Sequence, residues 1–291
     1  MKKHVQVAIV GAPNVGKSSL LNSMINSKNS IVSPKPHTTR RPILGISHIN
    51  DTQVIFVDTP GYIRPGTGCW SSSFIKSLRE SVEGADVILI IIDATNPNAF
   101  GAHELLTEFG ASPKTVVAIN KSDSKKRMRL YPIAQKITEY GYNEMILLVS
   151  AKTGGGLDDL QSEILKRATN DGWLYDTPDQ AKLAKPQYAA ECVREKIFYC
   201  LNQEIPFQIW TSTVEFKESN KWVAHVNIYV ARESHKRMVI GKDGDMIKRI
   251  GTAARIDLVS EWSSGDLFLN VEVDENKKKS ESELHRICMV E

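Results

Sequence analysis

Eight consecutive residues limit this chain more than any others. Gly-Ala-Pro-Asn-Val-Gly-Lys-Ser, Gly11 to Ser18, satisfies G-x-x-x-x-G-K-[ST] and follows directly on the apolar run Val5 to Val10. Val5, Val7 and Ile9 alternate with His4, Gln6 and Ala8, so the run reads as a strand that delivers the loop, and a helix is expected from about Lys17 to Ser27. Gly11 and Gly16 allow backbone turns that a Cβ would forbid, letting successive amides converge on phosphate oxygens at a helix N-terminus. The expected nucleotide contacts here are Gly11, Ala12, Pro13, Asn14, Val15, Gly16, Lys17, Ser18 and Ser19. Lys17 would reach the β- and γ-phosphates. Ser18 offers a hydroxyl to Mg²⁺, a hard cation that prefers oxygen. A glycine-rich turn with a surface lysine would share this spacing, but further motifs follow downstream in workable order.

The chain has 291 residues, comfortable for two domains, and its 41% hydrophobic and 24% charged content suits two separate cores. A formal charge of +3 is too weak to imply a nucleic-acid partner by itself, so the distribution of charge has to decide. Cys69, Cys192, Cys200 and Cys288 form no C-x-x-C pair; they neither announce a zinc site nor look like a disulfide framework, which suits a reducing compartment. The longest apolar run, Val87 to Ile92, has a strand's length, and Lys2 and Lys3 lead into a strand. Neither a membrane-spanning nor an exported chain is expected.

Residues Ser30 to Pro42 show no periodicity and carry three prolines, the marks of a long polar loop. Its HTTRR stretch, His37 to Arg41, places threonine hydroxyls where one, assigned to Thr39, could bind Mg²⁺ when a γ-phosphate draws the loop inward. Ile43 to Ile49 and Gln53 to Val57 read as a hairpin joined by Asn50-Asp51-Thr52. The second strand ends in Asp58-Thr-Pro-Gly61; Asp58 can hold Mg²⁺ through its water shell and Gly61 can offer an amide to the γ-phosphate. From Tyr62 to Ser73 a Gly-, Pro- and Ser-rich segment is expected to order with the nucleotide.

Val87 to Asp93 and Thr115 to Asn120 are continuous apolar runs of the kind buried on both faces of a mostly parallel sheet, which makes the first half a doubly wound α/β domain. The second runs into Asn120-Lys-Ser-Asp123, and Met145 to Val149 runs into Ser150-Ala-Lys152, placing both motifs at carboxyl ends of strands, where such sheets bind ligands. Asp123 can accept hydrogen bonds from the N1–H and exocyclic amine of guanine, a pairing adenine cannot make. Asn120 would bridge base and loop, the Lys121 stem would cover the ring, and the Ala151 amide would meet the guanine oxygen.

Over roughly residues 3 to 170 this set resembles the GTPase domain of the translation-factor-related class, of the TrmE-Era-EngA type. The resemblance implies GTP and GDP as ligands, Mg²⁺ held by Ser18, Thr39 and Asp58, two switch loops, and Lys17, Thr39, Gly61 and Asn14 as catalytic positions. Tyr62 stands where Ras-like enzymes carry a water-positioning glutamine, which implies slow intrinsic hydrolysis. Asn14 matches the asparagine with which relatives lacking that glutamine hold K⁺, so K⁺-stimulated hydrolysis is expected.

Asp171 to Gln187 has the composition of a linker. Domains are therefore expected at 1–172 and 189–291, with 173–188 between them. In the second half, Tyr188 to Leu201 has helical spacing, Phe207 to Phe216 and Lys221 to Val230 read as strands, and a helix follows Gly241-Lys-Asp-Gly244 with Met246, Ile247, Ile250 and Ala254 on one side. Leu267 to Val273 is the last strand. Gly-x-x-Gly in a helix–strand–strand–helix–helix–strand order resembles an α+β type II KH domain, whose loop clamps about four nucleotides of backbone. Ile240, Gly241, Lys242, Asp243, Gly244, Lys248 and Arg249 are the expected RNA contacts, with Val239, Ile240 and Ile247 as an apolar floor for bases. Arg232 to Arg255 holds seven Lys or Arg against three Asp or Glu, so a local charge of +4 sits where RNA would bind.

With REKIFYCLNQEIPF, Arg194 to Phe207, the whole chain resembles the Era family of ribosome-assembly GTPases. The resemblance implies binding to the 3′ end of small-subunit 16S-type ribosomal RNA, assistance to 30S assembly, a monomer in the cytoplasm, and peripheral association with the inner membrane, for which the sequence shows no lipid motif. The tail from Asp274 to Glu291 departs from the family's basic, Trp-containing pattern. A constitutive KH protein with a mainly structural nucleotide is the alternative reading. A tRNA-modification or large-subunit-assembly GTPase is a further one, which the KH loop argues against.

Overall fold

The computed structural model describes residues 2–26, 42–62, 71–97, 101–125, 127–177, 183–201, 206 and 209–274. Described residues up to 177 form one compact unit and those from 183 a second. Thr39, the Cys69 region, most of the segment after Tyr62, part of the 194–207 motif and the tail after Asp274 lie outside them.

The first unit is a sheet in the order β2-β3-β1-β4-β5-β6, from β1 (Lys3–Gly11), β2 (Ile43–Ile49), β3 (Thr52–Asp58), β4 (Val87–Asp93), β5 (Thr115–Asn120) and β6 (Ile146–Leu148). All neighbours are parallel except the β2–β3 hairpin, whose turn places Asn50 at φ 54°. The parallel strands are apolar on both faces because helices cover both. Val5, Val7 and Ile9 face Leu20, Leu21 and Met24 of α1 (Lys17–Ile25) and Leu160 and Ile164 of α5 (Leu157–Leu165). Ala8 and Val10 face Leu78 and Val82 of α2 (Ser71–Glu83), Leu105 and Leu106 of α3 (Ala102–Phe109), and Ile133 and Ile137 of α4 (Tyr131–Glu139). At roughly 25 cal/mol per Å² of apolar surface, this two-sided burial is what aligns the carboxyl ends of the strands.

A short strand β7 (Asn170–Asp171) pairs antiparallel with the start of β1. Beyond it the chain differs from the expected linker. Gln53, wholly buried on β3, accepts the Leu174 and Tyr175 amides on Oε1 at 2.9 and 3.1 Å, and its Nε2 donates to Tyr175 O at 2.8 Å. The Trp173 ring stacks on His48 at 4.4 Å while its Nε1 donates to Asp51 O. Residues 173–175 therefore belong to the first unit, Trp173 through its ring and Leu174 and Tyr175 because a buried amide side chain captures their backbone. At the other end α6 (Lys185–Cys200) starts before Tyr188, with Pro186 in its first turn where its missing N–H costs nothing. The stretch between the units is shorter than 173–188.

The second unit packs α6, α7 (Glu233–Ile240) and α8 (Asp245–Trp262) on one face of a sheet ordered β10-β9-β8, from β8 (Ile209–Glu218), β9 (Trp222–Val230) and β10 (Gly265–Val273). β8 and β9 are antiparallel, β9 and β10 parallel. Along β9, residues alternate strictly between buried and half-buried, so Trp222, Ala224, Val226, Ile228 and Val230 supply the core. Trp262 makes edge contacts with Trp222 and Phe216 and a tilted contact with Tyr188, closing one end of that core. Such pairs contribute about 0.5–1.5 kcal/mol each beyond burial. Arg194 and Glu195 are buried on α6, and Lys196 bridges Glu195 to Asp257 of α8 at 2.9 and 2.6 Å.

Candidate functional site

Three strand ends of the first unit converge on the loop after β1. Gly16, at φ 97°, caps α1, and a Cβ there would lie 2.4 Å from the Asn120 amide nitrogen, so only glycine permits the loop to approach β5. Asn14 takes the left-handed conformation at φ 63°, a sparsely populated state for a residue with a side chain. Ala12 and Val15 are buried at 2% exposure, fixing the loop to the sheet below. Lys17 is 7% exposed, and its ammonium donates to Gly11 O and Ala12 O at 3.1 and 3.0 Å. Burial lowers its pKa from 10.5 to about 8, against the opposing pull of the Asp58 carboxylate. A cation so held is ready to exchange carbonyl oxygens for phosphate oxygens.

Pro13 differs from its neighbours in the loop in what its backbone can offer a nucleotide. Having no backbone N–H, it has no donor to give a phosphate. It is half-buried instead, and it lies against Gly61: a Cβ on that glycine would come 2.9 Å from both Pro13 N and Pro13 Cα. Pro13 thus acts as the wall on which the Asp58–Gly61 turn rests, and Gly61 must lack a side chain for the two to meet.

Ser18 donates to Asp58 Oδ2 at 2.6 Å, joining the first turn of α1 to the end of β3. These two hard oxygens fit the ligand preference of Mg²⁺. Thr59 is pinned to Ile9 O by its hydroxyl at 2.8 Å, and the Tyr62 amide donates to Gly11 O at 3.0 Å, so the turn is docked on the phosphate loop from both sides of Gly61. Ser19 follows on α1. Thr39, the third expected metal ligand, is outside the described residues.

The base side is equally connected. Asn120, 1% exposed, donates from Nδ2 to Val15 O at 2.9 Å and accepts the Ala151 amide on Oδ1 at 3.1 Å, so one side chain links three loops. The two contacts assign its amide orientation, since one partner is an acceptor and the other a donor. Ser150 donates to Asp123 Oδ1 at 2.6 Å, which aims an exposed carboxylate from a short 3₁₀ turn. Lys152 is exposed beyond it. Lys121 donates to Asn14 O at 2.7 Å and pairs with Asp93 Oδ2 at 2.6 Å.

Asp93 is a site residue that the sequence reading passed over. It ends a strand that is otherwise wholly apolar, and β4 places it directly across from Asn120 of β5. A carboxylate at the carboxyl end of a buried parallel strand was the signal, the same one that marks Asp58.

In the second unit Gly241 (φ 78°), Asp243 (φ 53°) and Gly244 (φ 79°) form the turn between α7 and α8. A Cβ on Gly241 would lie 2.6 Å from Met246 Cβ, whereas at Gly244 nothing lies within 4 Å. The first glycine makes the turn and the second leaves open backbone for a ligand. Lys242, Lys248 and Arg249 are exposed around it, while Ile250, Ala254 and Leu258 anchor the opposite face of α8 in the core. Ile240 and Ile247 are half-buried. Val239, however, has no exposure and packs within the core, so it cannot serve as floor for a base. Val239 points into the core, while Ile240, one residue on in α7, is only partly covered by it.

These features recur in known proteins. Residues 6–121 match the family described as 50S ribosome-binding GTPase, and residues 204–286 match the KH domain family. The GTPase Era of Rickettsia canadensis is 36% identical over 279 residues, covering 94% of both chains. A crystal structure of Era in complex with MgGDPNP and nucleotides 1506–1542 of 16S ribosomal RNA matches at a TM-score of 0.89 and 34% identity, covering 98% of both chains. Aquifex aeolicus Era, as a variant bound to GDP and AlF4⁻, matches at a TM-score of 0.90 and 35% identity, covering 97% of this chain and 98% of that one. At 36% identity over 94% of both chains, this chain belongs to the Era family of GTPases.

Proposed function

We propose that this protein is a GTP-hydrolysing, RNA-binding switch that engages the 3′ end of small-subunit ribosomal RNA and assists assembly of the 30S subunit in the cytoplasm, acting as a monomer. The observation that carries the reading is the Asn120 side chain, which joins the phosphate loop at Val15 to the base loop at Ala151. Guanine recognition falls to Asp123 and the Ala151 amide. Phosphate recognition falls to Lys17 and to the backbone from Gly11 to Ser19, Pro13 excepted. Ser18 and Asp58, joined by Thr39, would hold Mg²⁺, which when bound neutralises charge on the β- and γ-phosphates.

Lys17 supplies a buried positive charge for the same phosphates. Gly61 offers its amide to the γ-phosphate, and Asn14, in its left-handed turn, is the K⁺-binding position. The likeness to an Era bound to MgGDPNP and 16S ribosomal RNA supports the ligand and RNA classes. We divide the chain into a GTPase unit ending with the segment held by Gln53 and a KH unit opening with α6. Among the described residues no helix is long and apolar enough to cross a membrane.

Titration with fluorescent GDP, competed by ADP, tests the nucleotide half: GDP should bind and ADP should not compete. Steady-state hydrolysis in K⁺ and in Na⁺ at matched ionic strength tests Asn14. Faster turnover in K⁺ is expected, and equal rates would remove that role.

A further inference from the structure

We propose that Asp93 is a positioning residue for nucleotide binding, acting through Lys121 on the backbone of the phosphate loop; the role rests on the guanine-nucleotide reading above. Asp93 is 6% exposed, yet both its oxygens are engaged. Oδ1 accepts the Thr95 amide at 2.7 Å and the Thr95 hydroxyl at 2.6 Å, which fixes the plane of the carboxylate. Oδ2 then takes the Lys121 ammonium at 2.6 Å, and that ammonium donates onward to Asn14 O at 2.7 Å. Lys121 itself sits at φ 61°, so a strained backbone presents its side chain to both partners.

The consequence follows from the trans peptide, in which C=O and N–H point in opposite directions. Drawing Asn14 O towards Lys121 turns the Val15 amide the other way, into the concave side of the loop where a phosphate sits. Asn120 does the same one residue later: by holding Val15 O at 2.9 Å it turns the Gly16 amide inward. Two successive donors of the phosphate cradle are thereby aimed by side chains from β5 and the turn after it. Only one of these, Lys121, needs a counter-charge to stay in place, and Asp93 is that charge. The stem of Lys121 is held by the same bond, with Cε 4.0 Å from a Cβ position on Gly16, so base cover and phosphate grip share one anchor.

Dissociation of fluorescent GDP from the full-length protein tests this with the variants Asp93→Asn, Lys121→Ala, their combination, and Thr95→Val. Asp93→Asn keeps the size and removes the charge, and should speed dissociation about tenfold, the modest end for a charged hydrogen bond because Lys121 is partly exposed. In the Lys121→Ala background the same change should alter the rate by less than about twofold, since Asp93 has nothing left to act through. Thr95→Val, which leaves the ion pair and the Thr95 amide bond but removes the hydroxyl bond to Oδ1, should give about threefold. A full tenfold effect surviving in Lys121→Ala would show a merely structural carboxylate and overturn the role, as would an unchanged rate in Asp93→Asn. Were Asp93→Asn to fail to fold, an unchanged rate in Thr95→Val would overturn it. Wild-type protein that binds no GDP would overturn the functional reading and this one with it, whereas wild-type binding with indifferent variants overturns this one alone.

Discussion

The loops around Gly11–Ser18 and the Gly-x-x-Gly turn, the two sites proposed to meet phosphates, are built in opposite ways. Around Gly11–Ser18 every neighbouring loop is tied in by buried side chains: Lys17, Asp58, Asp93, Asn120 and Ser150 are all 7% exposed or less. Around Gly241–Gly244 the polar side chains Lys242, Asp243, Lys248 and Arg249 are all exposed. A preorganised, desolvated site concentrates binding in a few groups whose loss is costly. An exposed cationic turn spreads it over several weak, salt-screened contacts. The two halves should therefore respond differently to single substitutions.

The largest effect is expected from Lys17→Ala, which removes a buried charge from the phosphates. Nucleotide affinity should fall by at least about 100-fold, measured by calorimetry, while RNA binding by nucleotide-free protein stays unchanged; a tenfold loss or less would make the loop no more concentrated than the KH turn. Next, Asp123→Asn should move preference from guanine to xanthine nucleotides by about 100-fold in a competition assay, because the amide now donates where the carboxylate accepted.

The Lys17 pKa sharpens the contrast through pH. Its folded value, about 8, lies below its ordinary value of 10.5 because burial opposes the charge. Between those values the unfolded chain holds the extra proton, so this group's contribution to fold stability improves as pH rises through the window. Nucleotide binding runs the other way, since phosphates need the protonated amine. Affinity for GDP should fall above about pH 8, by up to tenfold per unit, with proton uptake visible as a buffer-dependent binding enthalpy. A flat profile from about pH 7 to about 9.5, with binding otherwise intact, would contradict the assigned burial of charge.

On the KH side, replacing Lys242 and Asp243 together should weaken RNA binding by about tenfold and reduce the salt slope by about one, leaving GDP affinity untouched. Loss of both activities would mean the two units are not separate. Smallest of all, Lys248→Ala should cost RNA affinity only about threefold, as one exposed phosphate contact among several.

What the sequence made legible follows the same division. Gly11–Ser18, Asp58–Gly61, Asn120–Asp123 and Ser150–Lys152 could be read because each needs particular residue types at fixed spacing after an apolar strand. The Gly241–Gly244 turn and its basic surroundings could be read for the same reason. What escaped were partners brought together only by the sheet. Asp93 meets Lys121 because β4 and β5 are parallel neighbours, and Gln53 meets Leu174 and Tyr175 across more than a hundred residues. Spacing places Pro13 among the nucleotide contacts, while its packing on Gly61 depends on β1 and β3 lying side by side. Local composition made 173–175 look like linker, and helical spacing could not say how deeply Val239 is buried. Arg194 and Glu195 are charged residues inside a core, a placement that no hydrophobic pattern announces. Gln53→Ala would test one such hidden contact: it strands two amides and should lower unfolding stability by about 1–3 kcal/mol in denaturant titration.

We propose that the nucleotide in the first unit governs the RNA affinity of the second. The most direct test is the dissociation constant of the full-length protein for a 3′-terminal 16S ribosomal RNA fragment, with a non-hydrolysable GTP analogue and with GDP at matched salt and Mg²⁺. The account predicts binding about tenfold tighter with the GTP analogue, within the usual range of coupling between two sites. Equal affinity in the two states would contradict it.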